Sequence, residues 1–347
     1  MSRFASFTRA AAIGVLIALV ALIALGAPFS AGKLAMQPSP DSGDLRLYKA
    51  IIGRVRAGQP YDAAAIAEQR LDRYPVRPFV TVRPPALAIA LSWLPNVKVS
   101  DWLIAVLAGG VILAWTLRLR HLRAGPPWTI GVAVIVFTGV SVTMEGANIG
   151  VLHEAWAGLL IALSLALRTD KRFAAAAVVG FTAALVRELA IPYLVVMAVV
   201  ALVERRKGET MAFAGALALT LAALAWHAHQ VMALTTHHDL GSPGWLKFSG
   251  WPFVMGMEQW NLLVVPQSAA AFVPLALLGA AGWKDADGVR LFILLAGYIV
   301  GFMLVGQPTS LYWGFMIAPL LGVGLCLSPF ALIDLVRLST GFRHRPA

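Results

Sequence analysis

The sequence predicts an all-α integral membrane protein with about ten transmembrane helices and a large outer loop after the first. Three observations carry this. Of 347 residues, 59% are hydrophobic and only 13% charged, about half the charge of an average soluble domain. Uncharged runs such as Ala11 to Pro28 and Thr210 to Ala225, with a mean hydropathy of +0.77 overall, leave too little polar surface to cover one water-soluble core. The basic residues fall mostly in the gaps between apolar runs, so the net charge of +11 reads as membrane topology and not as a nucleic-acid surface. A single cysteine, Cys326, excludes a disulfide scaffold or a Cys-based zinc site within the chain.

Sixteen of the 28 Lys/Arg lie in alternate connections: at Arg3 and Arg9, Arg118 to Arg123, Arg168 to Arg172, Arg205 to Lys207, Lys284 and Arg290, and Arg337 to Arg345. The positive-inside rule makes these cytoplasmic and places both termini inside. Span 1 covers about Ala10 to Phe29; its apolar stretch is longer than a signal peptide's ~7 to 15 residues, so an uncleaved first helix is expected. Later spans are expected near Asp101–Leu117, Thr129–Thr143, Val151–Leu167, Phe173–Val186, Leu189–Val203, Met211–Gln230, Ser268–Gly282, Leu291–Gly306 and Leu311–Ala331, all within one polytopic domain, residues 1–347. The stretch Phe173 to Val203 offers 31 residues for two crossings that need about 40, so one or both helices stop short, with Arg187-Glu188 at the turn. Short helices are tolerated where they line a polar cavity or are buried in protein, and this points to a cavity near the outer face.

The outer loop, residues 31–100, has its own structure. Asp44, Tyr48, Ile52 and Val55 share one helical face, the pattern of an interfacial amphipathic helix. A second helix is expected over Asp62 to Arg73 with Asp62 as N-cap, broken by Tyr74-Pro75-Val76-Arg77-Pro78. The apolar piece Pro84 to Leu94 is too short to span and re-enters or lies in the interface. A second outer interfacial loop, residues 231–266, carries Trp245, Trp251 and Trp260 as an aromatic belt.

Few residues are placed to do chemistry. Asp44 is the polar member of an apolar face, suited to a general base or a metal ligand, or else to a helix cap. Arg187-Glu188 inside an apolar hairpin marks either an anion site, since the guanidinium fork grips phosphate, or a structural pair of Arg187 with Glu188 or Glu154. Glu145, Asn148, His153 and Glu154 cluster at the outer junction of the third and fourth spans. His153-Glu154-Ala155-Trp156-Ala157 lacks the second histidine of a zinc protease. His227, His229, His237, His238 and Asp239 are either metal ligands or, more in keeping with their place, interfacial side chains. No Walker A, GxGxxG or GxSxG sequence points to a soluble nucleotide enzyme or hydrolase.

The chain resembles the GT-C superfamily of polytopic glycosyltransferases. The resembling residues are Asp44-x-x-x-Tyr48, Arg56-Ala57-Gly58-Gln59-Pro60-Tyr61, Tyr74-Pro75, Arg83-Pro84-Pro85, Glu145-Gly146-Ala147-Asn148 and Val186-Arg187-Glu188-Leu189-Ala190-Ile191-Pro192. The resemblance implies a GT-C-like fold in the cytoplasmic (inner) membrane of a cell envelope, with the active site facing the periplasm or cell exterior. It implies inverting transfer of a hexosyl or pentosyl unit from a polyprenyl-phosphate-linked sugar donor to a lipid or glycan acceptor, with membrane lipids and no nucleic acid as further partners. Asp44, with Asp41, would be catalytic; Arg187, Arg83 and Lys247 would hold the donor phosphate; Tyr48, Glu145, Asn148, His153, Glu154, Glu188 and Tyr312 would contact substrate. A divalent cation is left open as cofactor, because Asp41 and Asp44 are separated by two residues where some members carry adjacent acidic residues. The chain ends shortly after Asp334, so the soluble outer domain of many members is not expected.

Without the name, ten Lys/Arg against five Asp/Glu between residues 31 and 100, beside a membrane cavity, suit an anionic lipid headgroup. The rival expectation is a transporter or flippase for an anionic lipid-linked saccharide, against which the lack of an evident inverted repeat counts.

Overall fold

The computed structural model describes residues 2–30, 43–120, 149–242, 244, 246–258 and 269–341. Among them the chain is helical, with no strand and one isolated bridge, Arg77 to Gly241. The α-helices begin with α1 (Arg9–Ser30), α2 (Asp44–Arg56), α3 (Tyr61–Leu71), α4 (Ala86–Ser92), α5 (Lys98–Leu119), α6 (His153–Leu167) and α7 (Phe173–Val186). They continue with α8 (Ile191–Val203), α9 (Lys207–Leu234), α10 (Gly250–Met257), α11 (Ala269–Gly282), α12 (Ala286–Val305) and α13 (Ala318–Thr340).

Five of these, α1, α5, α9, α12 and α13, are long and apolar enough to cross a membrane. The expected span 129–143 lies outside the described residues. The remaining expected spans are apolar helices of 15, 14, 13 and 14 residues, namely α6, α7, α8 and α11. At 1.5 Å per residue these reach about 20 to 22 Å, against the ~30 Å of a hydrocarbon core. The start of α13 also differs from expectation. Residues Pro308–Met316 form a 3-10 segment and the helix begins only at Ala318.

The chain divides into two compact units. The first comprises residues 1–34, 115–142 and 247–347. Its α11 and α13 approach backbone to backbone, because a Cβ on Gly279 would lie 1.9 Å from the carbonyl oxygen of Gly324. Small residues permit such contact between apolar helices, whose association depends on close van der Waals packing. Phe4, Ala12 and Leu19 bury against Leu278, Ala331 and Leu335, which makes α1 a packed member of this unit. Trp251, expected in the aromatic belt, packs its indole against Gly26 of α1; Trp245 and Trp260 lie outside the described residues.

The second unit comprises residues 35–114 and 143–246 and contains α2 to α4, the first part of α5, and α6 to α9. The short pair α7 and α8 ends inside protein, with Arg187 and Ala190 buried at the turn between them. At the other end of α6, Arg168 donates from Nε and from one terminal nitrogen to the two oxygens of Glu209, at 2.9 and 2.7 Å, a buried fork that ties α6 to the start of α9. The apolar face of α2 is seated on protein and not left to the membrane interface: Leu47, Tyr48, Ile51 and Ile52 are buried where α2 packs on α3, α4 and the 149–151 turn. Likewise, α4 buries Leu87, Ala88 and Leu91.

Candidate functional site

The second unit brings the stretch between α1 and α5 and the ends of the short helices into one polar cluster. Tyr48 comes from the buried face of α2, Tyr61 from the start of α3, and Arg83 from the stretch before α4. His153 and Glu154 open α6, and Arg187-Glu188 caps α7. The Arg187 side chain is 1% exposed and that of Glu154 0%. Arg187 Nε donates to Glu154 Oε1 at 2.7 Å, and one of its terminal nitrogens pairs with Glu188. Arg83 approaches the same Glu154 oxygen at 4.0 Å, and its Nε donates to the Tyr48 hydroxyl at 3.1 Å. The Tyr61 hydroxyl in turn donates to the carbonyl of Arg83 at 2.7 Å. Two guanidinium groups thus face two carboxylates in a desolvated setting, where charge is tolerated only when paired.

His153 stacks edge-on to Tyr48 with centroids 4.8 Å apart, and neither of its ring nitrogens meets a hydrogen-bond partner among the described residues. With Tyr48, Tyr61 and Val151 it lines a cavity of about 10 Å³, room for roughly one water. The 149–151 turn is fixed by Gly150, whose N–H donates to Asp101 Oδ1 at 2.8 Å while its carbonyl accepts from Trp156 Nε1 at 2.8 Å. Burial raises the Tyr48 hydroxyl pKa; Arg83 opposes this, and Asp44 and Glu154 reinforce it. Tyr61 is likewise raised by burial and by Asp62. Both therefore remain neutral phenols that can donate and accept.

Asp44 opens α2. Its helix N-cap is Gly43, with no side-chain cap bond, so the capping role that the sequence allowed does not hold; Asp44 sits in the first turn, where it complements the helix dipole. The carboxylate is half-buried and hydrogen-bonded to Tyr74, whose hydroxyl pKa is raised by burial and by Asp44. Asp44 also acts electrostatically on Tyr48, as do Arg83, Glu154 and Arg187.

Asp62 does not cap α3 either: Pro60 is the N-cap and no side chain caps it. Asp62 instead faces His227 Nδ1 of α9 at 2.9 Å, while His227 Nε2 faces the carbonyl of Val82 at 3.1 Å. Farther out, Arg70 grips Asp239 with two hydrogen bonds of 2.7 and 2.8 Å, and the backbone of Val76 and Arg77 bonds to Leu240 and Ser242. Asp62, Arg70 and Val82 thereby tie the 61–82 stretch to α9 and the residues after it. Among the described residues, no three His, Cys, Asp or Glu groups come together to hold a metal ion. His229 meets Trp226, and His237 stacks on His238.

Of the residues singled out in the sequence, Asp44, Tyr48, Arg83, His153, Glu154, Arg187 and Glu188 all belong to this unit. Lys247 and Tyr312 belong to the first unit; Lys247 is exposed, and its N–H bonds to the carbonyl of Leu304. Asp41, Glu145 and Asn148 lie outside the described residues. Arg187 is held by the two carboxylates named for its structural pairing. The Arg83 side chain is the more accessible guanidinium, 12% exposed. Tyr61, Tyr74 and the Asp62–His227 contact were not singled out as site features. Tyr61 and Tyr74 do fall within the segments that carry the family resemblance, whereas no local pattern pairs Asp62 with a histidine 165 residues away.

Compared with protein-family models, with curated proteins and with solved structures, the chain finds no match among any of the three.

Proposed function

We propose that the chain is an inverting glycosyltransferase of the cytoplasmic membrane, GT-C-like, with ten crossings that include the short helices and residues 129–143. It moves a sugar from a polyprenyl-phosphate donor to a lipid or glycan acceptor at the outer face. The observation that carries the reading is the placement of Asp44. It is a half-buried carboxylate hydrogen-bonded to Tyr74, and it acts on Tyr48 together with Arg83, Glu154 and Arg187. Asp44 takes the proton of the acceptor hydroxyl as that oxygen bonds to the anomeric carbon, while the bond from that carbon to the phosphate oxygen breaks. Polyprenyl phosphate leaves with the electron pair, and the departing charge is met by a guanidinium fork.

Arg83 is the group that meets the leaving phosphate, and Arg187 stands behind it through their shared oxygen on Glu154. Tyr48 ties Arg83 to α2, the helix that also carries Asp44. Ten basic residues against five acidic ones between positions 31 and 100 favour the approach of an anionic lipid headgroup.

The test is to reconstitute the purified protein in vesicles with polyprenyl-phosphate sugars carrying a radiolabelled hexose or pentose, and to follow release of polyprenyl phosphate with label in an acceptor extract. Transfer that depends on Asp44 supports the reading. Movement of intact donor between leaflets without transfer would assign the chain to lipid transport instead.

A further inference from the structure

The backbone at residues 81–83 is held by side chains. It lies between the 3-10 turn Phe79–Thr81 and Pro84-Pro85. The prolines supply no N–H to the carbonyls that precede them, and buried carbonyls need donors. Three successive carbonyls find one: Thr81 accepts from Gln69 Nε2 at 3.0 Å, Val82 from His227 Nε2 at 3.1 Å, and Arg83 from the Tyr61 hydroxyl at 2.7 Å. All three donor side chains are buried, and His227 is only 2% exposed. Gln69 and Tyr61 both come from α3, whereas His227 comes from α9, 145 residues along the chain from Val82. A carbonyl can only accept, so His227 Nε2 carries the hydrogen of this contact. On the other side of the ring, Asp62 Oδ1 stands 2.9 Å from Nδ1 and fixes the plane in which Nε2 points.

We propose that His227 is a positioning residue for Arg83. By holding the Val82 carbonyl it sets the backbone from which the Arg83 guanidinium reaches the Tyr48 hydroxyl and Glu154. Asp62 acts one step farther back, by orienting the imidazole. The consequence for catalysis rests on the transferase reading, in which Arg83 meets the leaving phosphate: a guanidinium fork grips an anion only when its base is fixed. The placement of Arg83 itself does not depend on that reading.

The test compares two amides at position 227. Gln places its nitrogen near that of imidazole Nε2 and keeps the donor to Val82; Asn places it near Nδ1, keeps a partner for Asp62 and loses that donor. The first readout is nuclear magnetic resonance of the full-length protein in micelles with isotope-labelled arginine, the Arg83 Nε–H signal being assigned by its loss in Arg83→Lys. His227→Asn should speed exchange of that hydrogen with water about tenfold, the effect of losing one hydrogen bond, and His227→Gln should restore most of the protection. The second readout is steady-state transfer. His227→Asn should raise the donor KM about tenfold with kcat nearly kept, and should add nothing in the Arg83→Lys background. Loss of folded protein would instead lower kcat at unchanged KM. Unchanged Arg83 exchange in His227→Asn, equal effects of Asn and Gln, or a KM increase that multiplies with that of Arg83→Lys would each overturn the proposal. Wild-type protein that transfers no sugar would sink the transferase reading, while the exchange comparison would still decide whether His227 positions Arg83.

Discussion

Glu154→Gln is the sharpest perturbation of the buried cluster. In the wild type, two cations, Arg83 and Arg187, face two anions, Glu154 and Glu188, and the Glu154 side chain is fully buried. The substitution keeps the shape and one acceptor for Arg187 Nε but removes one of the two negative charges. Breaking one partner of a buried pair costs about 3–5 kcal/mol, because the remaining charge is left uncompensated. Retention of one hydrogen bond places Glu154→Gln at the lower end, about 3 kcal/mol, and Arg187→Met at the upper end. The double variant Glu154→Leu/Arg187→Met should recover most of the loss, since an apolar pair of similar volume is often neutral or better in such a place. The assay is reversible unfolding in mixed micelles, read by tryptophan fluorescence, with Trp156 close to the site through its bond to Gly150. Stability of Glu154→Gln within about 0.5 kcal/mol of wild type, or strictly additive losses in the double variant, would refute the paired-charge account of this cluster.

Other outcomes follow from the same geometry. Gly150→Ala should destabilise by about 1–3 kcal/mol, because a Cβ there would stand 2.3 Å from Ser100 Oγ and 2.5 Å from the Ser100 carbonyl carbon; unfolding in the same micelles measures it. Burial lifts the Glu258 carboxyl pKa to about 8. The folded state therefore keeps a proton that the unfolded chain, titrating near 4.3, has lost. This contribution to stability is full below about pH 4, falls as pH rises, and levels off above about pH 8. Glu258→Gln should remove that slope and be the more stable protein at pH 8, with a pH series of unfolding curves as the check. Arg83→Lys keeps the charge and loses the fork, so it should raise the donor KM about tenfold or more in a steady-state transfer assay, while Arg187→Lys should chiefly lower stability.

The sequence made some of this architecture legible. The ends of α7 at Phe173 and Val186 could be read because Arg187-Glu188 interrupts an otherwise uncharged hairpin, and the packing of Arg187 with Glu154 and Glu188 was one of the alternatives that placement allowed. The stripe on α2 was legible from its period, but not what it faces: apolar periodicity records that a surface is covered, not whether lipid or protein covers it. The start of α13 was lost for a related reason. Hydropathy is high throughout Leu311 to Ala331, whereas the close packing of Gly314 on the carbonyl of Met257 is a tertiary contact. Asp62 had a cap-like position in the sequence, but its partner is His227 on a distant helix. Tyr74 beside Asp44, and Arg83 between Tyr48 and Glu154, are likewise long-range contacts without a local signature.

The central claim is that Asp44 is the general base, and it is tested most directly by the turnover of Asp44→Asn in purified protein supplied with polyprenyl-phosphate sugars and acceptor extract. Asparagine retains the hydrogen-bonding shape beside Tyr74, and at most the ~0.3–1 kcal/mol of helix-dipole stabilisation is lost, so folding and donor binding should persist. Loss of the base should lower kcat by about 10² to 10⁴. Wild-type turnover in Asp44→Asn would contradict the account and remove this residue from the mechanism.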